Sequence, residues 1–177
     1  MSQSATLYSV SPDVFEKLNQ PGTKQPFNID DATSYALFQG SFMALEYYLG
    51  KGKDSAHKAL AYELFNPAQT LGTDIFDGLT DEEKMEFYES GLLVPYLDVP
   101  VIERISQLVD ALSVEGMQQN YNAKELNDQG IYPGVWHDDN SPDMAYNQLH
   151  ITADLQKLKA IIKEAAADKN YLLVFAG

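Results

Sequence analysis

The pattern of hydrophobic and polar positions is clearest in the last third of the chain. Between residues 152 and 168, hydrophobic side chains recur at helical spacing and form one stripe, made of Leu155, Leu158, Ile162 and Ala165. The closing run, residues 171–177, is apolar on both faces, which is typical of a strand covered on two sides. With a strand predicted over residues 144–151 before the helix, this unit could form a right-handed parallel crossover.

Helical patterns fill the middle of the chain. Residues 30–50 are predicted as one helix that ends at Gly50, with an apolar stripe made of Phe38, Phe42, Leu45 and Leu49. A second helix is predicted over residues 54–65, and residues 66–78 are expected to be irregular. Later helices are predicted to begin at N-caps, which are Thr80 (with Glu83), Asp98, Ser113 and Asn122 (with Glu125).

Short strands are predicted at the two ends of the chain, with a further candidate at residues 92–94. The first covers residues 5–10, which alternate around Leu7 and Tyr8. Because no repeat of fixed period, low-complexity tract or long linker divides the chain, we predict a single domain over residues 1–177. The predicted class is α+β, with a helix-rich middle and a small mixed sheet formed by the N- and C-terminal strands.

The composition suits a packed core in a reducing compartment. Of 177 residues, 45% are hydrophobic and 11% aromatic, so intrinsic disorder is not expected. The chain contains no cysteine, which excludes disulfides, thiolate metal sites and cysteine nucleophiles. Residues 1–6 show no secretory signal, and no run approaches the ~18 apolar residues of a membrane span. We therefore expect a cytoplasmic protein.

The charge of the chain is strongly negative. Lys and Arg total 12 against 26 Asp and Glu, which gives a formal net charge of −14. A field of this sign repels nucleic-acid backbones and anionic lipids, so neither nucleic acid nor a membrane is an expected partner. The same field attracts a basic protein, which is the partner class that we predict. The pattern leaves the oligomeric state open.

One loop combines an imidazole with carboxylates, because His137 is followed by Asp138 and Asp139. Such a group can bind a divalent metal ion or act as an acid–base pair. The same residues, followed by Ser141 and Pro142, also fit a turn with an Asx cap. Because no third ligand lies at a recognised spacing, we predict no metal and no cofactor.

His150 lies where the predicted strand over residues 144–151 meets the predicted helix. A histidine near a helix N-terminus is favoured in its neutral form and could serve as a base, or it could be an interior residue that fixes the turn. No Gly-x-Ser-x-Gly elbow, P-loop or Gly-x-Gly-x-x-Gly pattern is present. We predict no catalytic residue, leave enzymatic activity open and favour a protein that is not an enzyme.

Several short blocks in the second half of the chain form a recognisable succession. They are Tyr121, Leu126-Asn127, Ile131-Tyr132-Pro133, Trp136, Ala145-Tyr146-Asn147, His150-Ile151, Asp154, Leu158-Lys159 and the run from residue 172 to residue 177. This succession resembles the YfbM-like family, a group of small bacterial proteins classed as a domain of unknown function. The resemblance implies a single α+β domain of bacterial, cytoplasmic character. It implies no catalytic residue, because the family is not assigned an activity.

The candidate binding residues combine positions from these blocks with the acidic loop. They are Tyr132, Trp136, His137, Asp138, Asn147 and His150. Structural roles also fit these residues, since a turn, a loop anchor and a helix start all need polar or aromatic side chains with partners.

Three classes of function fit the sequence. The first is a non-enzymatic protein-binding domain, for example an immunity-type or regulatory partner of a basic protein, whose association would be fast and salt-sensitive. The second is a hydrolase-like enzyme that uses a cleft near Trp136 and His150, and the third is a small-molecule-binding domain at the same place. The −14 charge without a catalytic group favours the first class.

Overall fold

The sheet joins the two terminal strands of the chain to three strands from between them. The computed structural model describes residues 3–20, 26–73, 78–90 and 92–177. Its strands are β1 (Ser4–Val10), β2 (Ser34–Gln39), β3 (Gln69–Leu71), β4 (Val94–Leu97) and β5 (Tyr171–Ala176). They form one five-stranded sheet in the order β2-β1-β5-β4-β3, and each of these pairings is antiparallel.

The described part of the chain also holds eight α-helices. They are α1 (Pro12–Leu18), α2 (Phe42–Gly50), α3 (Ser55–Glu63), α4 (Asp81–Glu89), α5 (Val99–Asp110), α6 (Val114–Asn120), α7 (Ala123–Asp128) and α8 (Gln148–Asp168). The predicted N-caps of α4 to α7 are confirmed. At α5, for example, Oδ1 of Asp98 accepts a hydrogen bond from the backbone N–H of Val101 at 2.9 Å.

The two faces of the sheet are covered by different helices. Along β1, Leu7 is fully buried and the next residue, Tyr8, is only partly buried, because alternate side chains of a strand point to opposite faces. The inner face packs against α2, α3, α5 and α8 in the main core. On the outer face, α1 places Phe15 against Tyr171 of β5, with ring centroids 3.7 Å apart. The expected α+β class and single domain are confirmed.

Residues 30–50 differ from the predicted single helix. They form a 3-10 turn (Ile29–Asp31), the strand β2 and the helix α2. Burial in β2 alternates, with Phe38 buried and Leu37 exposed. Gly40, at φ +73°, turns the chain between β2 and α2. The prediction was wrong because residues spaced by four, such as Phe38 and Phe42, fit a helical period and also a period of two.

The strand predicted over residues 144–151 is also absent, and so is the parallel crossover. The chain turns at Tyr146, whose φ is +57°, and α8 begins at Gln148 with Asn147 as its N-cap. The following strand, β5, is antiparallel to both of its neighbours, β1 and β4. The sheet is therefore antiparallel where we expected a mixed one. We assigned the apolar block at residues 144–151 to a strand. The polar residue Asn147 within this block instead caps the start of α8.

Two short strands, β3 and β4, lie in the middle of the chain. The strand predicted at residues 92–94 begins at Val94 and runs to Leu97, and it pairs with β3. This partner strand has three residues and lies in the segment that we expected to be irregular, of which residues 74–77 lie outside the described residues. Across the described ranges, no helix combines the length and the apolar character that crossing a bilayer requires.

Candidate functional site

A cleft of about 600 Å³ runs between β2 and α8, and we call it the edge-strand cleft. Its first wall is the strand, and its second wall is one side of the long helix. The residues that line it are Ser34, Tyr35, Ala36, Leu37 and Gln39 from β2, and His150, Lys157, Ala160, Ile161 and Glu164 from α8. The cleft therefore combines a backbone edge with a helical wall that carries both charges and apolar side chains.

The strand wall is an open edge of the sheet. Among the described strands, β2 pairs with β1 alone, so one row of its backbone groups has no strand partner. Its sequence, SYALFQ, contains no charged residue and no proline, although proteins commonly use both to protect an edge. Tyr35 and Leu37 are 69% and 40% exposed. This strand is therefore a ready template for pairing with another extended chain.

The helical wall is held in place by hydrogen bonds and an ion pair. Ser34 Oγ of β2 donates to Oε1 of Glu164 at 2.7 Å, which ties the helix to the strand. On α8 itself, Lys157 Nζ donates to Oδ1 of Asp154 at 2.6 Å. Asp154 is fully buried, and its other oxygen accepts a hydrogen bond from the hydroxyl of Ser41, the residue before α2. These contacts fix the position of the wall relative to the core.

His150 lines the cleft, and each of its ring nitrogens has a neighbour. Nδ1 accepts a hydrogen bond from the backbone N–H of Tyr146 at 3.1 Å, so Nδ1 carries no proton in this arrangement. The proton of the neutral ring then lies on Nε2, which is 3.6 Å from Oδ2 of Asp154. The imidazole therefore closes the turn before α8, and neither nitrogen is left as a free base.

Trp136 is a buried anchor of the loop that precedes α8. Its indole Nε1 donates to the carbonyl of Ile131 at 3.0 Å. Its backbone N–H donates to Oδ1 of Asn127 at 2.8 Å, and its carbonyl accepts from Nδ2 of the same amide at 3.0 Å. The ring also lies edge-on to Tyr146, with centroids 5.8 Å apart. These contacts give Trp136 a structural role.

Tyr132 and Asn147 also hold the fold together. The hydroxyl of Tyr132 accepts a hydrogen bond from the backbone N–H of Gln3 at 3.2 Å. The side chain of Asn147 caps α8 by accepting from the backbone N–H of His150 at 3.0 Å. Its Nδ2 donates to the carbonyls of residues 139 and 141, at 2.8 Å and 2.9 Å. Asn147 is 1% exposed, so it links the acidic loop to the helix start from inside the protein.

Among the described residues, no hydrogen bond or ion pair joins the side chains of His137 and Asp138, which the sequence left open as an acid–base pair. The backbone N–H of His137 donates to the carbonyl of Tyr146 at 2.9 Å, and its own carbonyl accepts from the hydroxyl of Tyr121 at 2.7 Å. Burial raises the pKa of that Tyr121 hydroxyl above its usual range. Oδ1 of Asp138 accepts from the backbone N–H of Ala123 at 3.3 Å. In the described residues, no group of three or more His, Asp and Glu side chains is placed to hold a metal ion.

Four of the six predicted site residues, which are Trp136, His137, Asn147 and His150, contact the turn at residues 146–147, but the six do not line one cavity. Of the six, only His150 lines the edge-strand cleft, while the side chains of Tyr132, Trp136 and Asn147 are hydrogen-bonded to backbone groups of the fold. The strand wall of the cleft was not predicted, because the apolar positions of this run also fit a helix. A signal was present: the run between Ser34 and Gln39 alternates, ends before a glycine and has no charge.

Comparisons with known proteins agree on the family and on the fold. The family model described as "Domain of unknown function (DUF1877)" matches residues 1–175. The fold is similar to the crystal structure of a protein of unknown function, YfbM from Escherichia coli, with a TM-score of 0.53 and 12% sequence identity over 99% of both chains. No curated protein matches the chain. At this identity the structural likeness shows the fold alone.

Proposed function

The chain belongs to the DUF1877 family, and we propose that it acts as a non-enzymatic protein-binding domain that takes an extended, basic segment of a partner at the edge-strand cleft. The observation that carries this proposal is the edge strand β2, an uncharged six-residue strand that opens onto a cleft of about 600 Å³. The expected resemblance to the YfbM-like family is confirmed, and it supplies no activity of its own.

Strand addition is the binding mode that this geometry supports. An extended peptide that pairs with a sheet edge gains its affinity from main-chain hydrogen bonds, and its alternate side chains enter the neighbouring groove. In this protein the groove is formed by α8, with the exposed Ala160 as an apolar contact and with Glu164 as an acceptor for a positive side chain. A partner with alternating apolar and basic residues would satisfy both walls.

The net charge supports a basic partner over a second copy of the chain. Two copies that each carry −14 repel one another, whereas a cationic segment is steered towards the same surface. Lys157 does not oppose such a segment, because its ammonium group is paired with the buried carboxylate of Asp154. An immunity-type or regulatory inhibitor of a basic protein is a concrete form of this function.

The hydrolase-like alternative has less support from the same residues. A serine nucleophile needs an imidazole within hydrogen-bond reach as its base. Here the hydroxyl of Ser41 is buried and bonds to Asp154, while both nitrogens of His150 face other groups. The carboxylate of Asp154 lies between the serine hydroxyl and the imidazole. The imidazole therefore cannot accept the proton of the hydroxyl.

A peptide-display selection on the immobilised protein tests the proposal. We expect enrichment of basic peptides with alternating apolar residues, and affinities that fall as NaCl rises. The double variant Tyr35→Lys/Leu37→Lys, which places charges on the edge, should weaken binding at least about tenfold. The matched control Tyr62→Lys/Met85→Lys makes the same charge change at exposed positions of α3 and α4 and should bind normally.

Backbone methylation separates strand addition from other modes of peptide binding. Two versions of an enriched peptide are methylated on alternate amide nitrogens. In one version the methyl groups remove the donors that face β2, and in the other they remove the donors that face solvent. We therefore expect one methylated peptide to lose binding and its counterpart to keep it. Equal affinity of both peptides, or equal loss in the edge variant and the control variant, would overturn the assignment to the edge strand.

A further inference from the structure

The positive charges of this acidic chain are unevenly placed, and we propose that one group of them binds a small phosphate ester with an apolar body. The group lies at a groove of about 300 Å³ that we call the cationic groove. Lys53 and Arg104 supply its charges, His57 supplies an imidazole, and Leu60, Leu108 and Ala111 contribute apolar surface. None of these residues lines the edge-strand cleft, so this inference is independent of the proposed function.

The lining of the cationic groove is free of carboxylates in the part of the chain that the structure describes. This is notable because Asp and Glu outnumber Lys and Arg by 26 to 12. A second groove of about 220 Å³ shares Lys53, Leu108 and Ala111 with the first and adds Lys51, and none of its described lining residues is acidic. Cations therefore converge at this place, on a chain whose overall field repels anions.

The charges of the groove are available to a ligand. Within the described residues, neither Lys53 nor Arg104 forms an ion pair, whereas Lys51 is paired with Glu125 at 2.5 Å. The acid next to Lys53 in sequence, Asp54, is occupied, because its Oδ1 caps α3 at the backbone N–H of His57. The same oxygen contacts Nδ1 of the His57 ring at 2.7 Å, and these hydrogen bonds hold the pKa of Asp54 below its usual range. The acid next to Arg104, Glu103, is paired with Lys169.

The chemistry of these side chains defines the ligand. A guanidinium presents parallel N–H donors that match two oxygens of a phosphate, and a lysine adds a mobile point charge. The apolar surface of Leu60, Leu108 and Ala111 would cover a ring or a short alkyl group, which a bare anion does not have. The volume is at the lower end of the range for ligand pockets, about 300–1,000 Å³. A phosphomonoester with one ring therefore fits the groove better than inorganic phosphate.

The test is a titration of the full chain with phenyl phosphate, inorganic phosphate and phenol, followed by NMR chemical-shift changes. We expect saturable binding of phenyl phosphate with shifts at residues of α3 and α5, and weaker binding of the other two probes. The variant Lys53→Gln/Arg104→Gln should bind phenyl phosphate at least about tenfold more weakly. The control Lys17→Gln/Lys163→Gln makes an equal charge change on α1 and α8 and should stay within about twofold of the unmodified chain.

Two outcomes would overturn the proposal. Phenyl phosphate that binds no more tightly than inorganic phosphate would show nonspecific attraction without use of the apolar surface. Equal weakening in the two double variants would show that net charge alone decides the affinity. Circular dichroism of every variant tests whether the fold is retained. If the double variant does not fold, the single variants Lys53→Gln and Arg104→Gln replace it. Each of them should weaken the binding of phenyl phosphate, but by less than the double variant.

Discussion

Asp154 shows how much one buried side chain can hold in place. Its carboxylate has no exposed surface, and it accepts hydrogen bonds from Lys157 and from the hydroxyl of Ser41. The third neighbour is Nε2 of His150, at 3.6 Å. A buried charge is tolerated only where it is paired and hydrogen-bonded. These four side chains therefore act as one unit, which joins α8 to the start of α2.

Replacing Asp154 with alanine should destabilise the protein strongly. The change leaves the buried Ser41 hydroxyl without its acceptor and removes the partner of Lys157, so we expect the free energy of unfolding to fall by about 3 kcal/mol. Urea unfolding of both proteins measures this difference. Asp168→Ala, at an exposed position of the same helix, is the matched control and should change the free energy by less than about 0.5 kcal/mol. A similar loss in both variants would contradict this account of Asp154.

The separation of two residues along the chain explains whether the hydrogen bond between them could be predicted. The cap at Thr80 and Glu83 was predictable, because its two residues are three positions apart and their types form a known pair. The bond between Ser41 and Asp154 spans 113 positions, and neither residue type marks such a partner. Local chemistry can therefore be read from the sequence, while a buried polar contact between distant elements depends on the fold.

The elements that the sequence misassigned lie where local patterns are ambiguous. The run from Ser34 to Gln39 alternates in burial, but Phe38 also continues an apolar stripe into α2, so a helix and a strand fit equally well. Pairing with β1 decides between them, and that information lies about thirty positions away. The long periodic segment of α8 is correctly predicted except at its start.

The start of α8 depends on Asn147, and its replacement by alanine should show this. The variant loses the cap to His150 N–H and two further hydrogen bonds to loop carbonyls, so we expect a loss of about 2–3 kcal/mol in the free energy of unfolding. Asn122→Ala removes the cap of α7, where the described part of the chain shows one hydrogen bond of this side chain, from the Glu125 N–H, and should cost about 1 kcal/mol. Urea denaturation compares the two. Equal losses would mean that the loop bonds of Asn147 contribute nothing.

At the scale of the whole molecule, the sequence predicts the class better than the site. The terminal strands lie together in the sheet and the helices fill the middle, as their patterns indicate. The direction of pairing was not predictable, because an apolar run such as β5 fits parallel and antiparallel neighbours alike. The edge-strand cleft is a property of the assembled sheet, since β2 becomes an edge only through the strand order. Of the residues predicted for a site, His150 alone reaches it.

The net charge of −14 affects the stability of the whole chain. Like charges repel more strongly in the compact state than in the unfolded chain, so screening should stabilise the fold. Raising NaCl from about 10 mM to about 1 M shortens the Debye length from about 30 Å to about 3 Å, and we expect the Tm to rise by several degrees. Thermal melts followed by circular dichroism at pH 7 measure this shift. MgCl2 at matched ionic strength is the control and should give the same Tm, because no cluster in the described residues is placed to bind a metal ion. A Tm that falls as NaCl rises would show that attractive ion pairs outweigh the repulsion.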